Sequence, residues 1–202
     1  MISKYLGALL CLNFVLFSSF PSLAGSPYAG LTVGLAYLND SSLKGSKNGD
    51  LSYDDGEAYS YAHGLDLGCF RFEGEIGYQK NDFETFGPGG IAADGDLSIL
   101  SFLANGYYYC EIPNSSIVPI ISAGIGAANV EYEDDIDEFS EDDIVLAYQV
   151  GAGLGVKISP SVTVNAMYRY FSTQDASFRE GGDNIELDIS SHNVLVGLKV
   201  SF

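Results

Sequence analysis

The chain has 202 residues, of which 24 are Gly, 14 Tyr and 12 Phe, with no Trp; 27 acidic against 9 basic side chains give a formal net charge of −18. So acidic a chain argues against nucleic acid as a partner, because phosphate backbones are held by clustered Lys and Arg. No long amphipathic helical pattern appears, and abundant Gly with aromatic residues suits a β protein with tight interior packing.

The chain opens with one Lys, Lys4, and an apolar run from Tyr5 to Phe20, followed by Ser22-Leu23-Ala24. Small residues at the two positions a signal peptidase reads predict a secretory signal peptide over residues 1–24, cut after Ala24. The run is short for a transmembrane helix, and no later segment approaches the ~20 apolar residues a span needs. Cys11 follows the large Leu10, so it belongs to the apolar signal and not to a lipoprotein processing site. Residues 25–202 are then one domain.

That domain reads as eight segments of period-two alternation. Their apolar stripes are, in order, Ala29 to Tyr37, Tyr59 to Leu67, Phe72 to Tyr78, Leu100 to Tyr108, Ile121 to Ala127, Tyr148 to Val156, Val162 to Tyr170 and Val194 to Phe202. No Asp, Glu, Lys or Arg lies on any of them. The complementary stripes are small or polar, including Gly30, Gly34, Gly64, Asp66, Arg71, Glu73, Glu75, Asn105, Gly124, Gln149, Gly151, Asn165, Arg169 and Lys199.

Alternation alone leaves open which stripe faces inward. A soluble eight-stranded barrel would put the apolar stripe inside. Three features point the other way. Glycine so dense on a wetted face would weaken strands for no packing gain, whereas a narrow lumen requires small residues. Tyr37, Tyr59, Tyr61, Tyr78, Tyr168 and Tyr170 fall at one level and Phe72, Tyr108 and Phe202 at the other, the pattern of two interfacial girdles. A charge at the lipid midplane costs ~2–4 kcal/mol, which accounts for the clean stripes. The fold class expected is therefore all-β, an eight-stranded antiparallel up-and-down transmembrane barrel.

Connections alternate between long loops (39–57, 81–96, 131–143, 172–186) and short turns (68–70, 110–116, 158–161). Short turns are periplasmic and long loops external in outer-membrane barrels, so both mature termini are expected in the periplasm. A barrel has no edge because its last strand pairs with its first. A strand that runs to the terminal Phe202 then ends at the membrane interface.

"SHNVLVGLKVSF" resembles the closing strand of outer-membrane β-barrels, and "FRFEGEIGYQKND", "LANGYYY", "PIISAGIGAANV" and "LAYQVGAGLGVKISPSVTVNAMYRYF" are similar to internal strands of the opacity-porin and OmpA-like superfamily. The resemblance covers the whole mature chain. It implies an outer-membrane location, contact with outer-membrane lipid and lipopolysaccharide, and recognition of Phe202 as an assembly signal by the barrel-assembly machinery. It is specific for fold, not function. OmpA-like proteins often continue into a peptidoglycan-binding domain; this sequence stops at Phe202, so wall anchoring is not expected.

Six charged residues share the inward stripes: Asp66, Arg71, Glu73, Glu75, Arg169 and Lys199. Unpaired charges in a narrow lumen are expensive, so these are expected to form a network. It would serve as a structural plug, with an ion pathway as the alternative. "EYEDDIDEFSEDD" (131–143) holds nine carboxylates but lacks the spacing of a helix-loop-helix calcium site, and reads as a solvated loop. Cys69 begins and Cys110 ends the hairpin around the second long loop, so both lie at the periplasmic end, either as a disulfide in an oxidising compartment or as two thiols.

His63 on the lipid stripe and His192 beside Ser190 and Ser191 are the only histidines, and no Gly-x-Ser-x-Gly elbow accompanies them. Gly151-x-Gly153-x-Gly155 precedes no helix and reads as lumenal glycine, not a dinucleotide loop. No enzyme activity, cofactor or metal site is therefore expected. The expected function is that of a monomeric surface protein, adhesin-like, antigenic or envelope-structural, whose acidic external loops meet a host or environmental ligand. The alternative is a narrow porin-like channel for ions or small solutes.

Overall fold

The computed structural model describes residues 25–43, 49–86, 91–92, 95–109, 112–134, 139–180, 183–187 and 189–202. The predicted signal peptide, residues 1–24, lies outside these. The described strands are β1 (Ser26–Leu38), β2 (Ser41–Leu43), β3 (Gly49–Tyr53), β4 (Gly56–Asp66), β5 (Phe70–Phe86), β6 (Ile91–Ala92) and β7 (Gly95–Tyr109). They continue with β8 (Ile117–Asp134), β9 (Phe139–Lys157), β10 (Val162–Thr173), β11 (Ala176–Glu180), β12 (Asp183–Leu187) and β13 (Ser190–Ser201).

Eight of these close a barrel in the antiparallel order β1, β4, β5, β7, β8, β9, β10, β13. Closure is made by β1 against β13, in register from Tyr28 opposite Ser201 to Leu38 opposite Ser191. The Phe202 amide extends the seam by donating to the Pro27 carbonyl (2.9 Å). No backbone edge is then left along the wall, which is what a bilayer demands of a sheet.

The outward stripes are those anticipated. Leu31, Val33, Leu35, Ile121, Ile125, Val150, Leu154, Val194, Val196 and Leu198 are all exposed. The girdle aromatics Tyr37, Tyr59, Tyr61, Tyr78, Tyr168, Phe72, Tyr108 and Phe202 are exposed too, and Phe70 packs on Tyr108 at 5.3 Å between centroids. Lipid is the cover such a belt requires.

Two expectations need correction. The four long connections are largely strand. β5 runs to Phe86, and β8 and β9 stay paired through Asp134 opposite Phe139. The 131–143 segment is thus mainly a β-ribbon arm, with 135–138 outside the described residues. β11 and β12 form a second such arm. Tyr132 between Glu131 and Glu133 keeps alternation going, and ladder bonds carry the strands past the membrane belt.

Second, the inward stripe is not uniformly small or polar. Toward the arm end, Tyr53, Phe83, Leu97, Ile99, Leu103, Val130, Val145, Phe171 and Ile189 are buried in one cluster. Residues of this cluster come from β3, β5, β7, β8, β9, β10 and Ile189 before β13, and together form an apolar cap; toward β1 and β13 the buried amides of Asn81 and Gln79 share its level, opposite Leu97 and Ile99. Where alternation puts apolar residues on both faces, as in Leu97 to Leu103, period-two reading does not separate cap from lipid face.

Below the cap, large inward residues face glycine across the strand pair: Glu73 opposite Gly64, Asn105 opposite Gly124, Arg169 opposite Gly151 and Met167 opposite Gly153. A Cβ on Gly124 would run into the Asn105 amide, and one on Gly64 into the Glu73 side chain and the Phe72 carbonyl. Glycine here makes room for its neighbour. At the turn end, Gly68 takes φ 92° and its amide donates to Asp66 Oδ1 (3.0 Å), closing the β4–β5 turn.

Val33 and Val196 face each other on the outer wall midway along β1 and β13. Val196→Arg is expected to lower unfolding free energy in lipid vesicles by ~2–4 kcal/mol, and Val196→Leu to leave it within experimental error. Denaturant titration of the refolded protein measures both.

Candidate functional site

β5 supplies Arg71, Glu73 and Glu75 at successive inward positions, and the rest of the lumenal network is assembled around them. At the turn end, Asp66 Oδ2 lies 2.7 Å from Arg71 Nε and 2.9 Å from Lys199 Nζ. The Arg71 guanidinium sits over the Tyr109 ring at 3.3 Å, and Lys199 Nζ is 5.1 Å from the Tyr28 ring centre. One carboxylate and two aromatic faces thus offset two cations.

One layer further in, Glu73 accepts from the hydroxyls of Tyr28 and Tyr107, both at 2.7 Å, and from Asn105 Nδ2 at 3.2 Å. Three donors replace the water a carboxylate loses on burial. Glu75 is 4 % exposed and takes both arms of the Arg169 guanidinium, at 3.0 and 2.9 Å. β5 and β10 are not neighbours, so this bidentate pair ties opposite walls across the lumen. Asn105 Nδ2 also donates to Glu75 (3.3 Å), joining the two glutamates.

The six charges singled out in the sequence are thereby distributed over two layers: Asp66, Arg71 and Lys199 near the turns, and Glu73, Glu75 and Arg169 above them. Tyr28, Tyr107, Tyr109, Asn105 and Gln149 complete these layers and escape a search for charges. Their inward parity is the signal that marks them. A second polar group lies on the β5 and β13 walls, where Asn81, Gln79, Ser191 and Asn193 are hydrogen-bonded in series.

The remaining candidates lie elsewhere. His192 faces outward, with Nδ1 2.5 Å from the Tyr168 hydroxyl and Tyr170 at 5.3 Å between centroids. His63 is on the outer wall, opposite Ala29 and Gly74. Cys69 is exposed with a free thiol; Cys110 lies outside the described residues, although the amide of its neighbour Tyr109 donates to the Cys69 carbonyl at 2.8 Å. In the acidic arm Glu131 stands opposite Asp142. Among the described residues no three His, Cys, Asp or Glu side chains converge where a metal ion would sit.

The family model for the outer membrane protein beta-barrel domain matches residues 8–202, and the chain belongs to that family. No curated protein matches it. Among solved structures, the neisserial surface protein A is similar at 16% identity and TM-score 0.60, over 87% of this chain and 97% of that one. The outer membrane protein AlkL, solved in lipid bilayers, is similar at 16% identity and TM-score 0.55, over 91% and 95%. The attachment invasion locus protein of Yersinia pestis, in complex with the heparin analogue sucrose octasulfate, gives 16% identity and TM-score 0.42 over 84% and 98%. At these identities the first two likenesses establish fold alone.

Removing one partner of the buried pair strands the other's charge. Glu75→Gln or Arg169→Met is expected to cost ~3–5 kcal/mol each, and the double variant clearly less than their sum, because neither charge is then left alone. Urea unfolding of the three variants in vesicles checks the non-additivity.

Proposed function

We propose that this member of the outer-membrane barrel family is a non-enzymatic surface protein whose sealed barrel holds acidic β-ribbon arms outside the cell. The observation that carries this is the apolar cap: Leu97, Val130 and Ile189 have no solvent exposure, and Phe83, Ile99 and Phe171 have almost none. An ion crossing it would give up its water among apolar side chains and amides already bonded to one another, at a cost of many kcal/mol. Below the cap, the lumen has cavities of about 30 and 50 Å³.

With the lumen closed, what remains available to a partner is the exterior. The lipid belt is covered by membrane, and the turns at the other end are short. The four long connections carry most of the acid, including the nine carboxylates of 131–143. A ligand drawn to them would be cationic or would bring its own cations. In this orientation the turns and both ends of the barrel domain face the periplasm, the upper girdle meets lipopolysaccharide, and the Phe202 aromatic ring, 74 % exposed, is offered to the assembly machinery.

In planar bilayers the refolded barrel is expected to give no sustained current over a wide range of salt. A steady, salt-proportional current from folded protein would overturn the sealed reading and favour the channel. On intact cells, a glutamate-specific protease is expected to cut the arms while leaving the belt intact. Resistance of 131–143 with cleavage only after permeabilisation would reverse the orientation.

A further inference from the structure

Side-chain amides have a direction: NH₂ donates and the oxygen accepts, and which end faces which neighbour follows from the partners. Two relays of amides in the lumen have directions set by groups that can only accept. The first starts at the Glu73 and Glu75 carboxylates. They oblige Asn105 to turn its NH₂ toward them, at 3.2 and 3.3 Å. The Asn105 oxygen then accepts from Gln149 Nε2 at 2.8 Å, which leaves the Gln149 oxygen with no donor in the protein.

The second relay starts at two backbone carbonyls. Asn81 Nδ2 donates to Ala36 O (2.9 Å) and Asp54 O (3.0 Å), so its oxygen accepts from Gln79 Nε2 at 3.0 Å. The Gln79 oxygen in turn accepts from Asn193 Nδ2 at 3.4 Å and Ser191 Oγ at 3.1 Å. The Asn193 oxygen is left with no donor in the protein. Flipping any one amide would set oxygen against oxygen along its chain.

Both relays therefore end on a carbonyl oxygen that needs a hydrogen, and both terminal residues, Gln149 and Asn193, wall the same cavity of about 30 Å³. They are 3 % and 4 % exposed. Each buried acceptor left unmet costs ~1–3 kcal/mol. We propose that this cavity is a water site, in which a bound water donates one hydrogen to Gln149 Oε1 and the other to Asn193 Oδ1. A cavity of this size has room for a water, which needs at least about 10–15 Å³. Arg169 walls the cavity too, so a bare cation such as ammonium meets a like charge there, whereas water can present its oxygen. The water joins the carboxylate relay to the backbone relay beside the cap residues Ile99 and Phe171.

Water-edited NMR of the protein in lipid bilayers tests this. Magnetisation from water is expected to reach the side-chain amides of Gln149 and Asn193 but not Leu97 or Ile189 in the cap. In Asn193→Leu the transfer to Gln149 is expected to be lost, and in Gln149→Leu the transfer to Asn193, because one molecule serves both. Amides as dark as the cap in the unmodified protein would overturn the proposal without any variant. So would transfer to Gln149 that survives Asn193→Leu, or a signal that appears only in ammonium buffer.

Discussion

Closing eight strands leaves an interior about as wide as the side chains that point into it. That constraint accounts for most of what lies inside this barrel. A long residue fits only where its cross-strand neighbour gives up volume, hence Asn105 over Gly124 and Arg169 over Gly151. A charge fits only if other side chains replace its water. The Glu75 carboxylate is therefore held by a guanidinium from the opposite wall, and Glu73 by two tyrosines and an asparagine. Without these partners the same residues would favour opening the lumen to solvent.

The same narrowness makes the hydrogen-bond network directional. Two glutamates on one strand demand donors, and each amide that answers them presents an acceptor to the next. A core of hydroxyls could rotate to absorb that demand; amides cannot, because their donor and acceptor ends are fixed. The carboxylates on β5 thus set the orientation of Gln149, two strands beyond β7 on β9, through one intervening residue.

How much of this the sequence discloses depends on which physical signal is carried locally. The lipid face is legible because a bilayer penalises charge at every position. The stripe from Val194 to Phe202 is clean for that reason, and the eight-strand count follows from such stripes. The inward direction of Arg71, Glu73, Glu75 and Arg169 follows from parity alone. Their pairing does not, since Glu75 and Arg169 are 94 residues apart and meet only through closure. The cap is hidden in the sequence for another reason: Leu97, Ile99 and Leu103 share a strand with outward Leu100 and Phe102, so both faces are apolar and alternation loses contrast. The arms read as loops in the sequence because acidic residues signal solvent, and solvent exposure does not exclude a ladder.

The arms show where that ladder holds against electrostatics. Glu131 faces Asp142 across β8 and β9, and Asp82 faces Asp96 across β5 and β7, with Lys80 reaching Asp96 at 2.8 Å. Like charges directly opposite weaken a sheet. In the belt the same pair would be prohibitive; in water at physiological salt, screening over about 8 Å reduces it to a modest cost that ladder bonds offset. The lower limit of these pairs along the strands therefore marks the lower limit of water on the outer wall. Below that limit the outward pairs are Lys80 with Ser98, then Tyr78 with Leu100 and Ile76 with Phe102, so the wall passes from carboxylates to a girdle within two outward positions. The outer boundary of the membrane is thus written into the wall by what each side of it would refuse: charge below, and a continuous apolar stripe above.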